Sequence, residues 1–399
     1  MNALVMGSPT HDSTDTPAAA AAGTARPLRV MIAGGGTGGH LFPGVALAEQ
    51  VLAAGGEVRF VGTERGIEAR VIPELGWTLD RIEVSGIKGR GVRGLISGLL
   101  RLPKAWLQSR RIIAGFDPDV VVGVGGYASG PIVATAWLMR RPTAILEQNS
   151  VPGITNRILG RLVRKVFATF PDVHGRFPAR KVVLAGNPIR AALVERLEQA
   201  RSDANANAEA TSAAGGRPPR LFVFGGSQGA QAINGAMIEA AAALAEALPG
   251  LEIWHQTGKS EVERVREGYA AAGLSEPRVR AVPFIRDMSE PYAWCDLVLC
   301  RAGATSLAEL AAVGCPALLV PFPHATDDHQ THNAAALVEA GAARLIPQSE
   351  LDADRLVAEV GGLLGDEAGL EKMRQAMLGA ARPRAAAEIL AGLGELAKR

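Results

Sequence analysis

The chain is predicted to form two doubly wound α/β domains whose parallel sheets face a common cleft. Three features carry that expectation. Twice an apolar strand runs straight into a glycine-rich turn and then a helix. Residues 28–33 lead into Gly34-Gly35-Gly36-Thr37-Gly38-Gly39-His40, and residues 220–224 lead into Gly225-Gly226-Ser227-Gln228-Gly229-Ala230. Strand-like runs alternate with helical patterns on both sides, the order that builds a parallel sheet covered by helices. A polar, Ala/Asn/Gly-rich stretch at 196–216, without periodic apolar residues, separates the two series.

In the first domain, 28–190, strands are expected near 28–33, 57–62, 78–84, 119–124, 143–148, 165–170 and 181–185. Helices are expected at 42–54, 65–75, 94–114, 130–140 and 153–164. A linker or insertion follows at 191–216. The second domain, 217–366, restarts with strands near 220–224, 251–257, 279–284, 296–300, 316–320 and 343–346. Its helices fall near 229–248, 260–272, 304–313, 331–340 and 353–363. The tail 367–399 is Ala-, Leu- and Glu-rich and helical, with the reach to pack back across the domain seam. The leader 1–27 reads as a disordered tail or a misassigned start, lacking the basic start and apolar core of a secretory signal.

A chain of 399 residues, 48% hydrophobic and 21% charged, fits a soluble class with room for two full cores. No run approaches the roughly 18 unbroken apolar residues of a membrane span. Three cysteines without a CxxC pair make no disulfide framework, which suits a reducing cytoplasm. Charge is unevenly divided. Residues 28–190 carry a net +11 and residues 217–399 a net −6, so the first half is expected to meet an anionic partner.

In open α/β sheets ligands bind at the carboxyl ends of the strands. Glycine turns there let backbone approach a ligand, and helix starts offer N–H groups and a positive dipole end to an anion. Gly34-x-Gly36-x-x-Gly39 matches the dinucleotide fingerprint, but its acidic residue at the close of the second strand is missing: Glu57 opens that strand, and Glu64 lies beyond its end. Neither turn reads as a P-loop. His40, in the first helical turn at a strand end, is a candidate general base, because a helix N-terminus disfavours its protonated form. Gly125-Gly126-Tyr127 makes a third tight turn, and Glu147-Gln148-Asn149 ends another strand. Tyr127 and Glu147 are placed on the acceptor side, and Asn149 suits a hydroxyl. Arg190 is suited to a diphosphate or to an interdomain ion pair. In the second domain, Cys300 to Leu310 reads as strand end, turn and helix, with Glu309 positioned for two vicinal ribose hydroxyls. The run from Pro321 to Asn333 is dense in His and Asp but matches no recognised metal-ligand spacing. Gln330 and Asn333 share one helical face and suit sugar hydroxyls.

In this order the motifs Gly35-to-His40, Glu147-to-Asn149, Gly186-to-Arg190, Gly225-to-Ala230, Gly303-to-Glu309 and His324-to-Asn333 resemble the MurG family of peptidoglycan N-acetylglucosaminyltransferases. The resemblance runs from about Leu28 to about Leu363. It implies the GT-B fold of two Rossmann-like domains, and inverting transfer of GlcNAc from UDP-GlcNAc to O4 of the MurNAc in undecaprenyl-diphospho-MurNAc-pentapeptide, lipid I to lipid II. It assigns the donor site to Thr37, Gly38, Gly39, Asn149, Arg190, Ser227, Ile285, Ala304, Thr305, Ser306, Leu307, Ala308, Glu309 and Gln330. Ile285 would lie against uracil through its main chain, Ser227 and its turn would hold the diphosphate, and Gln330 and Asn333 would read GlcNAc hydroxyls. His40 would be the base. No DxD motif stands in this donor site, so no metal or cofactor is expected.

The implied partners are UDP-GlcNAc, lipid I, an anionic membrane surface at the cytoplasmic face of the inner membrane, and cell-wall synthesis proteins, with no nucleic acid. Arg90, Arg93, Leu95, Ile96, Leu99, Leu100, Arg101, Leu102, Lys104 and Trp106 make a basic-apolar segment. It reads either as a membrane contact or as a helix packed on its own sheet, with Pro103 interrupting the pattern. Competing activities on the same fold are UDP-GlcNAc 2-epimerisation and lipid galactosyl transfer, and outside catalysis a nucleotide-sugar-binding scaffold.

Overall fold

The computed structural model describes residues 26–84, 91–172, 175–196, 199, 217–226 and 229–398, with backbone alone for 91–102. Residues 1–25 of the expected leader, most of the expected linker, Arg90, Ser227 and the side chains of the basic-apolar segment before Pro103 lie outside the described residues.

Two all-parallel sheets organise the chain. The first holds β1 (Arg29–Ala33), β2 (Glu57–Gly62), β3 (Leu79–Arg81), β4 (Val120–Gly123), β5 (Thr143–Glu147), β6 (Lys165–Ala168) and β7 (Val182–Leu184), in the order β3-β2-β1-β4-β5-β6-β7. The second holds β8 (Arg220–Phe224), β9 (Glu252–Gln256), β10 (Val279–Val282), β11 (Leu297–Cys300), β12 (Ala317–Leu319) and β13 (Ala343–Leu345), in the order β10-β9-β8-β11-β12-β13. Strand order reverses between β1 and β4 and again between β8 and β11, the switch points where such sheets open a crevice. Register brings the strand ends level: Ala33 pairs with Val61 and Gly123, and Phe224 with Gln256 and Cys300. Both glycine-rich turns therefore leave central strands at a switch point.

Each sheet is buried on both faces, which is why its strands read as near-continuous apolar runs. The tail divides between the domains. The Glu367–Ala380 helix packs Leu370, Met373 and Met377 into the second domain's cores. Pro383 cannot continue that helix. After it the Ala385–Ala397 helix crosses to the first domain, burying Ile389, Leu393 and Leu396 among Val30, Ile32, Leu41 and Val45. Lys165 Nζ meets Glu395 at 2.7 Å on the same helix. Three such apolar side chains stabilise the crossing by about 1.5–3 kcal/mol each.

Two local features differ from the sequence expectation: the first helix starts at Gly38 rather than 42, and a six-residue helix forms at Ser289–Trp294. The helix expected at 94–114 runs from Gly91 to Phe116, through Pro103.

Candidate active site

The site is assembled at the seam between the two switch points. On the first-domain side, Thr37 is the N-cap of the Gly38–Ala53 helix, and its Oγ1 lies 3.1 Å from His40 Nδ1. The half-buried His40 ring packs on Gly125, where an added Cβ would fall 2.6 Å from Cδ2, so only glycine leaves room for the imidazole. Desolvation, reinforced by the His329 charge from the opposite domain, lowers the His40 pKa to about 4. The imidazole is therefore neutral at pH 7.

Pro43 sits inside the same helix and has no N–H to return to Gly39 four residues earlier. The freed Gly39 carbonyl accepts instead from Thr305 Oγ1 of the second domain at 3.3 Å. A residue that looks like a helix defect thus makes an interdomain contact.

On the second-domain side, Gly303 caps the Ala304–Val313 helix and its carbonyl receives the first helical bond, from Leu307 N–H at 3.0 Å. The N–H groups of Ala304, Thr305 and Ser306 have no intrahelical acceptor and present the positive dipole end. Ala304 and Leu307 are buried. Glu309, one turn further, accepts from Tyr292 OH at 3.2 Å. Burial raises its pKa to about 6, against the opposing pull of Arg190 and of that hydrogen bond. Arg190 acts on Glu49 as well as Glu309 and lies over the Phe42 ring, 5.5 Å from its centroid.

Several of the expected site residues are engaged within the protein. Asn333, expected to read sugar hydroxyls, is fully buried with its amide engaged. Its Oδ1 accepts from Ser150 N–H at 2.8 Å and Ser150 Oγ at 3.0 Å, and its Nδ2 donates to Asn149 Oδ1 at 3.2 Å. It joins the two domains. Glu147 is likewise buried, with Oε1 accepting from Asn149 N–H at 3.0 Å and Oε2 from Asn156 Nδ2 at 2.9 Å. It shapes the Asn149 turn, with its carboxylate spent on Asn149 and Asn156. The Ile285 N–H donates to Gln256 Oε1 at 3.0 Å, and Gln330 Oε1 accepts from Phe322 N–H at 2.9 Å. Tyr127 stands 58% exposed beyond its turn. Among the described residues, no three His, Cys, Asp or Glu side chains converge as metal ligands, the His324-to-Asn333 run included.

Three residues that the sequence reading passed over organise the turns. Glu68 lies inside the first one, with Oε2 accepting from Gly36 N–H at 2.7 Å and Oε1 from Thr63 N–H and Oγ1, both at 2.9 Å. Gly62 and Gly66, six and two residues before it, were the legible signal of close packing there. Gln256, at the end of β9, donates to the Gly226 carbonyl at 2.9 Å while receiving Ile285 N–H, tying the second turn to the Ile285 loop. Beneath them Asn234 Nδ2 donates to the Thr257 carbonyl at 2.9 Å, so its Oδ1 accepts from His255 Nε2–H at 3.1 Å and Tyr269 OH donates to His255 Nδ1 at 2.9 Å. Burial lowers the His255 pKa to about 3, so this support is uncharged.

Residues 30–168 match the glycosyltransferase family 28 N-terminal domain, and residues 220–389 the family 28 C-terminal domain. A protein of Anaeromyxobacter sp. (strain K) named UDP-N-acetylglucosamine--N-acetylmuramyl-(pentapeptide) pyrophosphoryl-undecaprenol N-acetylglucosamine transferase is 50% identical over 374 residues, covering 93% of this chain and 94% of that protein. The crystal structure of Acinetobacter baumannii MurG superposes with a TM-score of 0.74 at 31% identity, covering 92% of this chain and all of that one. The chain belongs to the MurG family. The MurG assignment makes it a glycosyltransferase of the GT-B fold. UDP-GlcNAc 2-epimerase from Neisseria meningitidis, at TM-score 0.63 and 14% identity, shares with the MurG family that fold alone.

Proposed function

We propose that this chain transfers GlcNAc from UDP-GlcNAc to O4 of the MurNAc in undecaprenyl-diphospho-MurNAc-pentapeptide, with inversion, and so converts lipid I to lipid II. One observation carries the reading: across a single seam, the helix start that bears His40 meets the start of the helix that bears Glu309, with Thr305 Oγ1 donating to the Gly39 carbonyl at 3.3 Å. Inverting transfer needs a base at the acceptor hydroxyl and stabilisation of a departing nucleoside diphosphate. With Nδ1–H donated to Thr37 Oγ1, His40 Nε2 keeps its lone pair for the acceptor proton. The N–H groups at 304–306, the Gly225-to-Ala230 turn and Arg190 take the charge developing on UDP. Glu309 holds the ribose hydroxyls, and the Ile285 carbonyl is left for the base because its N–H is engaged. Gln330, its Oε1 held by Phe322, turns its amide nitrogen to GlcNAc.

The acceptor is a lipid, and the first domain offers a surface for it. Trp106 and Leu107, Trp137 and Leu138, and Ile154 and Ile158 are exposed on three successively packed helices. Arg110 lies over Trp106 and exposed Arg161 follows Ile158 on its helix. Apolar and cationic side chains together suit peripheral binding to an anionic leaflet, here the cytoplasmic face of the inner membrane.

The test is incubation with radiolabelled UDP-GlcNAc and a soluble lipid I analogue. Labelled disaccharide formed only when acceptor is present is the expected result. Donor turned over equally without acceptor would instead indicate epimerisation, and donor bound without turnover a scaffold.

A further inference from the structure

The first glycine-rich turn has the sequence of an anion receptor, yet its inner N–H groups are all engaged within the protein. Gly34 N–H donates to the Val61 carbonyl at 3.0 Å, Gly35 N–H to the Gly125 carbonyl at 3.2 Å, and Gly36 N–H to Glu68 Oε2 at 2.7 Å. The Glu68 carboxylate takes two more donors, Thr63 N–H and Thr63 Oγ1. Glu68 is 1% exposed. A Cβ on Gly35, Gly62 or Gly66 would collide with it, so three glycines make the space it fills.

We infer that Glu68 is a built-in anion that occupies the inner half of the first turn and positions the Thr37-to-His40 segment for transfer. Three donors converge on one carboxylate, the pattern of a bound anion supplied by the chain itself. The turn is then closed to a ligand phosphate at Gly34–Gly36, and only the helix start beyond it, at Gly38 and Gly39, faces the cleft. Gly36 adjoins Thr37, whose hydroxyl meets His40, and Gly35 is bonded to Gly125, on which the His40 ring rests. Loosening the carboxylate therefore loosens both supports of the imidazole. Glu68 touches no substrate and acts through His40, so it is a positioning residue. The inference rests on His40 as the transfer base.

Removal of the side chain should leave a cavity shaped for a small carboxylate. In Glu68→Ala, transfer turnover at saturating donor and acceptor is expected to fall at least tenfold, with UDP affinity within twofold of the parent because the second domain is untouched. Formate is expected to restore a large part of that turnover, and to raise the melting temperature of Glu68→Ala but not of the parent, relative to chloride at equal ionic strength. Glu68→Gln keeps the volume but turns an N–H toward Gly36 or Thr63. It should lose comparable turnover and gain nothing from formate. Parent-like turnover in either variant overturns the proposal. So does a loss in Glu68→Ala that formate leaves unchanged, and so does formate that raises the melting temperature without restoring turnover, which would make Glu68 purely structural. His40→Ala run alongside separates the two readings: if it turns over normally, His40 is not the base, whatever formate does.

Discussion

The two domains share one topology and one kind of glycine turn but hold those turns with opposite electrostatics. The first turn is closed from within by the Glu68 carboxylate. The second rests on the neutral amide of Gln256, with an uncharged Asn234–His255–Tyr269 network beneath the neighbouring strand end. A phosphate placed about 6 Å from a buried carboxylate is disfavoured by roughly 3 kcal/mol at an effective dielectric near 20. Among the described residues of the second turn, no carboxylate accepts a hydrogen bond from the turn, and the helix start at Ala304 adds attraction. On the proposed reading, the same local motif positions a base in one domain and receives a diphosphate in the other. Motif identity is set by sequence, but motif use is set by what fills the space behind it.

The sharpest way to break this division is His40→Ala. Turnover should fall by about 10²–10⁴, while UDP binding, measured calorimetrically, stays near the parent value. A variant that kept its rate would remove the base from the first domain. The reverse substitution in the second domain is Glu309→Ala. It should raise the donor KM about tenfold, the scale of one hydrogen-bonded charge lost, and leave kcat within a few-fold. The parent should show a matching pH dependence. Because the Glu309 pKa is raised to about 6, its carboxyl is protonated below that value and loses acceptor strength. Donor KM should therefore climb as pH falls through 6, and the Glu309→Ala profile should be flat there. The smallest effect is expected at the surface: Ile158→Asp should weaken cosedimentation with anionic vesicles a few-fold and leave turnover on a soluble acceptor unchanged.

Much of the fold was legible because its signals are local. Short apolar runs bounded by Gly and Pro placed the strands within a residue or two, except β3, which ends at Arg81 rather than 84, since a parallel sheet buried on both faces tolerates little else. The 304–313 helix was read to the residue, as Gly303 and Gly314 bracket it. The Ser289–Trp294 helix was missed because one and a half turns carry no period to detect. Residues displayed in the glycine turns, including Thr37, His40 and Arg190, could be singled out because Gly, His and Arg beside a strand end have few other uses.

What the sequence by itself determined was the list of elements, their α/β class and the chemical types offered at the strand ends. Only the tertiary structure decided which of those groups are spent on partners within the chain. Asn333 and Glu147 carry the right chemistry but spend it on Ser150, Asn149 and Asn156, because a buried polar atom must find a partner wherever the packing provides one. Glu68 and Gln256 gain their roles from strand ends that register places side by side, and Pro43 from a domain that docks against the carbonyl it leaves free. Such partnerships join residues far apart in the chain, and no window of sequence contains both members.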